Sequence, residues 1–156
     1  MNWFQKHIFS NQTWLLPMLF VWVSINLYGQ EDEVDLYGSW QLQKHPEYKT
    51  VYQELYFDGK SFFIYDEHVH LQASREYRIV NNELQITKGL EAGETMGKIV
   101  VLTSDNFVIE INGVQAEYLN LSNSENNLEE LILEKITQND FSFSFYKRHK
   151  AWLSNQ

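Results

Sequence analysis

The chain has 156 residues, a formal net charge of −9 and no cysteine. This length suits one ordinary domain, and 44% hydrophobic with 15% aromatic residues is enough to build a core. Without cysteine, disulfides, thiolate metal sites, cysteine nucleophiles and a lipid anchor on an N-terminal cysteine are excluded. The acidic charge disfavours binding to nucleic acid or to an anionic lipid surface.

The N-terminal segment predicts an export signal. A weakly basic start with Lys6 precedes an apolar run from Trp14 to Ile25, which is shorter than a bilayer span and close to the length of a signal-peptide core. We expect cleavage after Gly29, so that residues 1–29 are the signal peptide and the protein is secreted or periplasmic. An uncleaved signal anchor is the alternative.

Short strands joined by turn residues are predicted in the rest of the chain. In "GSWQLQK", Trp40 and Leu42 alternate with polar residues, which is the period of a half-buried strand. Asp58-Gly59, Asn81-Asn82 and Asn112-Gly113 each separate two apolar runs, and these residue pairs are typical of tight hairpin turns.

Two segments near the C-terminus have similar sequences, "LTSDNFVIEI" at 102–111 and "ITQNDFSFSF" at 136–145. The similarity predicts the same strand–turn–strand unit in both, and therefore a last strand in "FSFSFYKRH" after the turn at 138–140. The segment "NNLEELILEKIT" at 126–137 fits two structures. It is either a helix capped by one of its asparagines or a strand from about Glu130, and the similarity to the first hairpin favours the strand.

Nine or ten strands with regularly spaced turns predict an all-β fold. Consecutive hairpins favour an up-and-down meander, and closure into a barrel removes its unpaired edges. We therefore expect an antiparallel up-and-down β-barrel of about 8–10 strands, in which a short helix near residues 126–136 is the alternative to a strand there.

Several segments together resemble the lipocalins, and more closely the small lipocalin-like domains of proteins secreted by Bacteroidetes-type bacteria. The segments are "LYGSW", "LYFDGKSFFIY", "YRIVNNELQI", "VLTSDNFVIE" and "FYKR". The resemblance implies a lipocalin-like barrel over residues 36–150. It also implies a structural plug at one barrel end, in which Gly38 permits tight packing and a basic residue of the last strand covers the Trp40 ring. Arg148 is the first choice for that residue and Lys147 the second.

One polar stretch, "YDEHVHLQ", is a candidate for metal binding. On an extended strand Asp66, His68 and His70 share one face, and further ligands could come from His45, Glu47 or Glu76. A solvated strand or loop explains the stretch better. The sequence has no nucleophile elbow and no zincin, Walker or Rossmann motif, so we predict no catalytic residue, metal or cofactor.

The leading functional hypothesis is non-catalytic binding of a small, partly hydrophobic ligand inside the barrel. The alternative is a structural or protein-interaction module of the cell envelope with a filled core. An apolar cavity of roughly 300 Å³ or more inside the barrel would favour ligand carriage over this alternative. No nucleic acid is expected as a partner, and no stable membrane insertion after cleavage. The residues predicted to point inward and bind the ligand are Leu55, Phe57, Tyr77, Ile79, Leu84, Phe107 and Ile109.

Overall fold

A computed structural model describes residues 36–45 and 51–156. The predicted signal peptide, its cleavage site and Glu47 lie outside these described residues. The described part contains nine strands and two helices: β1 (Gly38–Lys44), β2 (Gln53–Phe57), β3 (Ser61–Asp66), β4 (His70–Leu71), β5 (Arg75–Val80), β6 (Glu83–Ile86), β7 (Thr95–Leu102), β8 (Asn106–Ile111), β9 (Val114–Asn120), α1 (Leu128–Ile132) and α2 (Gln138–Leu153).

The strands close into an eight-stranded antiparallel barrel. Around the ring the order is β2, β1, β9, β8, β7, β6, β5 and β3, and β3 pairs again with β2. Strand β1 therefore pairs with the strand that follows it and with β9, so the beginning and end of the meander meet. The two-residue strand β4 pairs with β3 outside this ring. The predicted up-and-down barrel is confirmed.

The three predicted tight turns are present. Asn81 and Asn82 have φ of 53° and 62°, and Asn112 and Gly113 have φ of 53° and 80°. These left-handed values are tolerated best by asparagine and glycine, and they match the right-handed twist of the flanking strands. In the β2–β3 turn the Asp58 Oδ1 accepts from the backbone N–H groups of Lys60 and Ser61, at 2.8 and 2.6 Å.

The structure corrects two predictions near the C-terminus. The segment preferred as a strand from about Glu130 contains helix α1, whose N-cap Asn127 accepts from the Glu130 N–H. The predicted last strand "FSFSFYKRH" is wrong, because residues Gln138–Leu153 form the 16-residue helix α2. Its N-cap Thr137 and Asp140 form a reciprocal capping box, which satisfies backbone donors at the helix start.

Strand alternation separates an inner from an outer surface of the barrel. Phe57 on β2 contacts Phe107 on β8, and these strands are not neighbours, so the contact crosses the barrel interior. Because the side-chain period of a strand is two, Tyr56 and Glu54 on β2 point outward. Both are nevertheless buried, so the outer wall must be covered at this place.

Helix α2 provides that cover around Glu54, whereas Tyr56 packs with Tyr37 and Phe63. Its buried residues are Phe141, Phe145 and Trp152, which recur at helical spacing and form one stripe. The Phe145 ring lies 5.1 Å from Tyr52, which directly precedes β2, and 4.8 Å from Tyr65 on the outer side of β3. The molecule thus has two apolar layers, one inside the barrel and one between its outer wall and α2.

Candidate functional site

The residues predicted to bind a ligand lie mainly in the barrel interior. Leu55, Phe57, Leu84, Phe107 and Ile109 are buried. Tyr77 is half-buried, and Ile79 is 39% exposed although its register partner Leu84 is fully buried. The two members that are not buried both belong to β5. Their role as ligand contacts stays a prediction.

Aromatic rings in the interior contact one another across the barrel. The Phe107 ring centroid lies 5.8 Å from that of Trp40, 6.1 Å from Phe57 and 5.4 Å from Tyr118. Phe57 in turn lies 5.2 Å from Tyr77. These separations are typical of rings in direct edge-to-face or offset contact. At this level the rings of five strands occupy the centre of the barrel.

The start of β1 holds one barrel end against the segment before α1. Trp40 is buried, and its Nε1 donates to the Leu36 carbonyl at 2.9 Å. Gly38 has φ of +119°, and a Cβ there would lie 2.7 Å from the Ser122 Oγ. The backbone conformation therefore favours glycine, and a larger residue would also have to displace the Ser122 hydroxyl. Ser39 also accepts a hydrogen bond from the Glu129 N–H of α1 at 3.0 Å.

Arg148 has a different position from the predicted one. The residue lies on α2 and not on a last strand, so the predicted strand placement is wrong. Among the described residues, the ring that the structure pairs with its guanidinium group is that of Phe141, at 5.9 Å. The sequence resemblance aligned Arg148 with a strand position, and the helix gives its side chain other partners.

Those partners form a buried ion pair between α2 and the outer wall. Arg148 Nε donates to Glu54 Oε1 at 2.7 Å, and its Nη2 donates to Oε2 at 3.0 Å. The Glu54 side chain is fully buried and also accepts from the Tyr52 hydroxyl at 2.8 Å. Arg148 further donates to the carbonyls of Glu125 and Asn126, both at 3.3 Å. One side chain thus connects α2, β2 and the segment before α1.

Burial and pairing have opposite effects on the two charges. Burial raises the pKa of Glu54, and the hydrogen bonds and charge of Arg148 act in the lowering direction. Burial would lower the pKa of Arg148, but the contacts with Glu54 outweigh it and raise that pKa. Burial, together with the neighbouring Glu54 carboxylate, raises the pKa of the Tyr52 hydroxyl, so it remains a donor. Each buried charge is stabilised by its partner in place of the water that burial removes.

Two further α2 side chains complete this layer. The His149 ring stacks on Tyr52 with centroids 5.5 Å apart and planes 5° apart, and its Nδ1 lies 3.2 Å from Glu67 Oε2. Trp152 Nε1 donates to the Gln43 carbonyl of β1 at 2.8 Å. Beside the ion pair, a cleft of about 280 Å³ is lined by residues that include Gln41, Ser124 and Arg148. The layer fixes α2 through directional contacts at several points.

The predicted metal-binding stretch has a different conformation from an extended strand. Strand β3 ends at Asp66, and the chain turns so that His70 pairs with Asp66 in β4. The Asp66 Oδ1 accepts from the N–H groups of His68 and Val69, and Oδ2 accepts from Gln72. Desolvation opposes these hydrogen bonds, but together they lower the pKa of Asp66. Within residues 36–45 and 51–156, no three histidine or acidic side chains are grouped to hold a metal ion.

The sequence pattern did not predict the layer under α2, whose residues are Tyr52, Glu54, Tyr65, Phe141, Phe145, His149 and Trp152. Two signals for it were present. Thr137 and Asp140 have the spacing of a capping box, and Phe141, Phe145 and Trp152 have the spacing of a buried helix stripe. The Glu54–Arg148 pairing has no sequence signal, because the two residues lie on separate elements far apart in the chain.

Comparison of the chain with family models, with curated protein sequences and with solved structures finds no match. In the part of the chain that the structure describes, neither helix has the length and apolarity needed to cross a membrane.

Proposed function

We propose that this protein is a non-catalytic interaction module with a lipocalin-like barrel, whose interior is filled by its own side chains and whose outer surface contacts a partner. The supporting observation is the set of ring contacts across the barrel, centred on Phe107. Protein interiors are packed as densely as organic crystals, so rings in mutual contact leave no space for a ligand among them. In a small barrel, inward side chains either fill the interior or line a cavity.

The buried polar groups also support a structural role. Both carboxylate oxygens of Glu54 are occupied by Arg148, and Tyr52 donates to one of them. A catalytic group must be free to exchange a proton or bond with a substrate. Groups that satisfy one another at 2.7 to 3.0 Å instead hold two elements in one arrangement.

Carriage of a small, partly hydrophobic ligand is the second candidate. It is favoured by the partial exposure of Tyr77 and Ile79, which belong to the predicted inward set. An opening beside β5 would let a ligand reach the interior wall formed by these residues. The acidic charge of the chain would favour a neutral or cationic ligand.

Export is part of the proposal and rests on the sequence alone. If residues 1–29 are removed as a signal peptide, the module acts in the periplasm or outside the cell.

Native mass spectrometry of protein purified from its own host tests this proposal. We expect the mass of the polypeptide alone, beginning at Gln30. One small molecule bound per chain would contradict the filled interior. Carriage in the barrel would then follow if Leu84→Trp, which fills a fully buried position, loses the molecule while Leu90→Trp, at a fully exposed position, retains it.

A further inference from the structure

The outward side of α2 carries large apolar side chains. Phe143 is 63% exposed, Tyr146 64% and Leu153 48%. At 100° per residue these three positions lie within one sector of the helix, opposite the stripe that packs on the barrel. Exposed residues of this kind are unremarkable one at a time, but a grouped set on one helix marks an interaction surface.

Two lysines lie in the same sector. The Lys147 Nζ is 4.3 Å from the centroid of the Phe143 ring, and Lys150 is exposed one turn further along. Within the described residues neither lysine takes part in a salt bridge. We name these five residues the α2 outer face: Phe143, Tyr146, Lys147, Lys150 and Leu153.

The charge of this face differs from that of the whole chain. No acidic residue occurs in the sequence from Phe141 to Leu153, whereas the chain has 21 acidic and 12 basic residues. The charge of Arg148 is balanced by Glu54, so Lys147 and Lys150 supply the positive charge of the outer face. A basic, aromatic face on an acidic protein is complementary to an apolar surface that carries carboxylates.

We propose that the α2 outer face docks a segment of another protein that presents apolar side chains beside aspartate or glutamate. This inference rests on the proposed interaction function and names its surface and the chemistry of its partner. An anionic membrane fits less well, because the net charge of −9 is repelled by it. A second copy also fits less well, because a two-fold interface would place the lysines of one copy near those of the other.

Selection from a random peptide library tests the chemistry of the partner. The full protein and its Phe143→Ser/Tyr146→Ser/Lys147→Glu/Lys150→Glu variant are used as parallel targets. We expect peptides retained by the wild type and lost by the variant to be enriched in acidic residues next to leucine, phenylalanine or tryptophan. Enrichment of basic peptides, or the same peptides on both targets, would overturn the proposal.

Binding of one selected peptide then tests the role of charge. We expect Lys147→Glu/Lys150→Glu to weaken binding at least about fivefold, because two attractive contacts become repulsive. The charge-matched control Lys60→Glu/Lys98→Glu changes two exposed lysines elsewhere and should alter affinity less than about twofold. Equal losses in both variants would show that net charge, and not this face, governs binding.

The remaining outcomes separate this inference from the proposed function. Binding of the wild type to phosphatidylglycerol vesicles, or a dimer in sedimentation that Lys147→Glu/Lys150→Glu changes, would assign the face to a membrane or a second copy and overturn the protein partner. Peptide binding that is unaffected by the face variants would also overturn it. The filled interior is tested separately, because only a ligand found inside the barrel would contradict it, whatever the result at the α2 outer face.

Discussion

The barrel interior and the layer under α2 bury aromatic side chains in different ways. Inside the barrel, Phe57 and Phe107 are fully buried among other apolar residues. Under α2, Phe141 and Phe145 are buried beside the Glu54–Arg148 ion pair. The interior is closed by strand pairing, which fixes its geometry through the backbone. The helix has no such ladder and depends on its side chains for its position.

This difference assigns different roles to the two layers. Apolar burial is non-directional, so it supplies stability without choosing one alignment of a helix on a sheet. A buried ion pair contributes little net stability, but breaking it leaves an unsolvated charge. We infer that the interior supplies most of the free energy of folding, and that Glu54 and Arg148 determine where α2 sits.

The largest effect is expected from loss of an interior ring. Phe107→Ala should lower the free energy of unfolding by about 3–5 kcal/mol, because it removes contacts with three neighbouring rings and leaves a cavity. Urea unfolding measures this loss in the free energy of unfolding. The exposed ring of Phe143 is the matched control, and Phe143→Ala should change stability by less than about 0.5 kcal/mol. A loss of under about 1 kcal/mol for Phe107→Ala would mean that the interior is loosely packed.

The second-largest loss of stability is expected when one partner of the ion pair is removed. Arg148→Met should cost about 3 kcal/mol, because it leaves the fully buried Glu54 carboxylate without its counter-charge. The double variant Glu54→Leu/Arg148→Met should recover most of this loss. If the single and double variants are equally unstable, the damage comes from the removed side-chain packing and not from the charge.

The pH dependence of the stability of Arg148→Met tests whether the loss comes from the buried charge of Glu54. Burial already raises the pKa of Glu54, and the variant lacks the arginine contacts that oppose this rise. A carboxyl whose folded-state pKa lies above its unfolded value binds more protons in the folded state, so lower pH stabilises the fold. The deficit of the variant relative to the wild type should therefore shrink as the pH falls from 7 toward about 4.3, the ordinary glutamate value. A constant deficit would contradict a buried, ionised Glu54.

A smaller effect is expected where β1 begins. Gly38→Ala should cost about 1–3 kcal/mol, because alanine is strained at φ of +119° and its Cβ would meet Ser122 Oγ at 2.7 Å. Gly59 also has a positive φ, of +88°, but has open space around it. Gly59→Ala should thus report backbone strain alone and cost less. Thermal unfolding compares the two, and equal losses would mean that Ser122 moves aside freely.

The smallest effect is expected at the start of α2. Thr137→Ala should lower the free energy of unfolding by about 1 kcal/mol, because the hydroxyl caps the Asp140 N–H. Hydrogen bonds from the Thr137 side chain and backbone lower the pKa of Asp140. The contribution of the Asp140 carboxylate to stability is therefore present above the ordinary aspartate pKa. It is lost as the pH falls through the pKa of Asp140 in the folded protein. Asp140→Asn should show a stability deficit at neutral pH that disappears in acid.

The sequence predicted the barrel because its turns have a local chemical cause. Asn81-Asn82 and Asn112-Gly113 tolerate the left-handed backbone that tight hairpins need, and the structure has it at these positions. Closure of the meander into a barrel was predicted because the two edge strands would otherwise stay unpaired. Neither the turns nor the closure depends on knowing which residues far apart in the chain are in contact.

The last helix was not predicted, because its first residues carry a motif that two structures share. The Thr103 hydroxyl accepts from the Asn106 N–H in the β7–β8 turn, and the Thr137 hydroxyl accepts from the Asp140 N–H at a helix start. The same threonine bond, three residues ahead, therefore begins a strand in one place and a helix in the other. The alternation in "FSFSF" also fits both structures, and the packing of Phe145 and Trp152 decides for the helix.

The proposed function depends on a barrel interior that is filled by the protein's own side chains. Titration of the native protein with Nile red, a neutral apolar dye, tests whether that interior can take up a ligand. We predict no saturable rise in fluorescence for the wild type. Saturable binding of one dye per chain that is lost in Leu84→Trp and retained in Leu90→Trp would place a ligand cavity inside the barrel and contradict the claim.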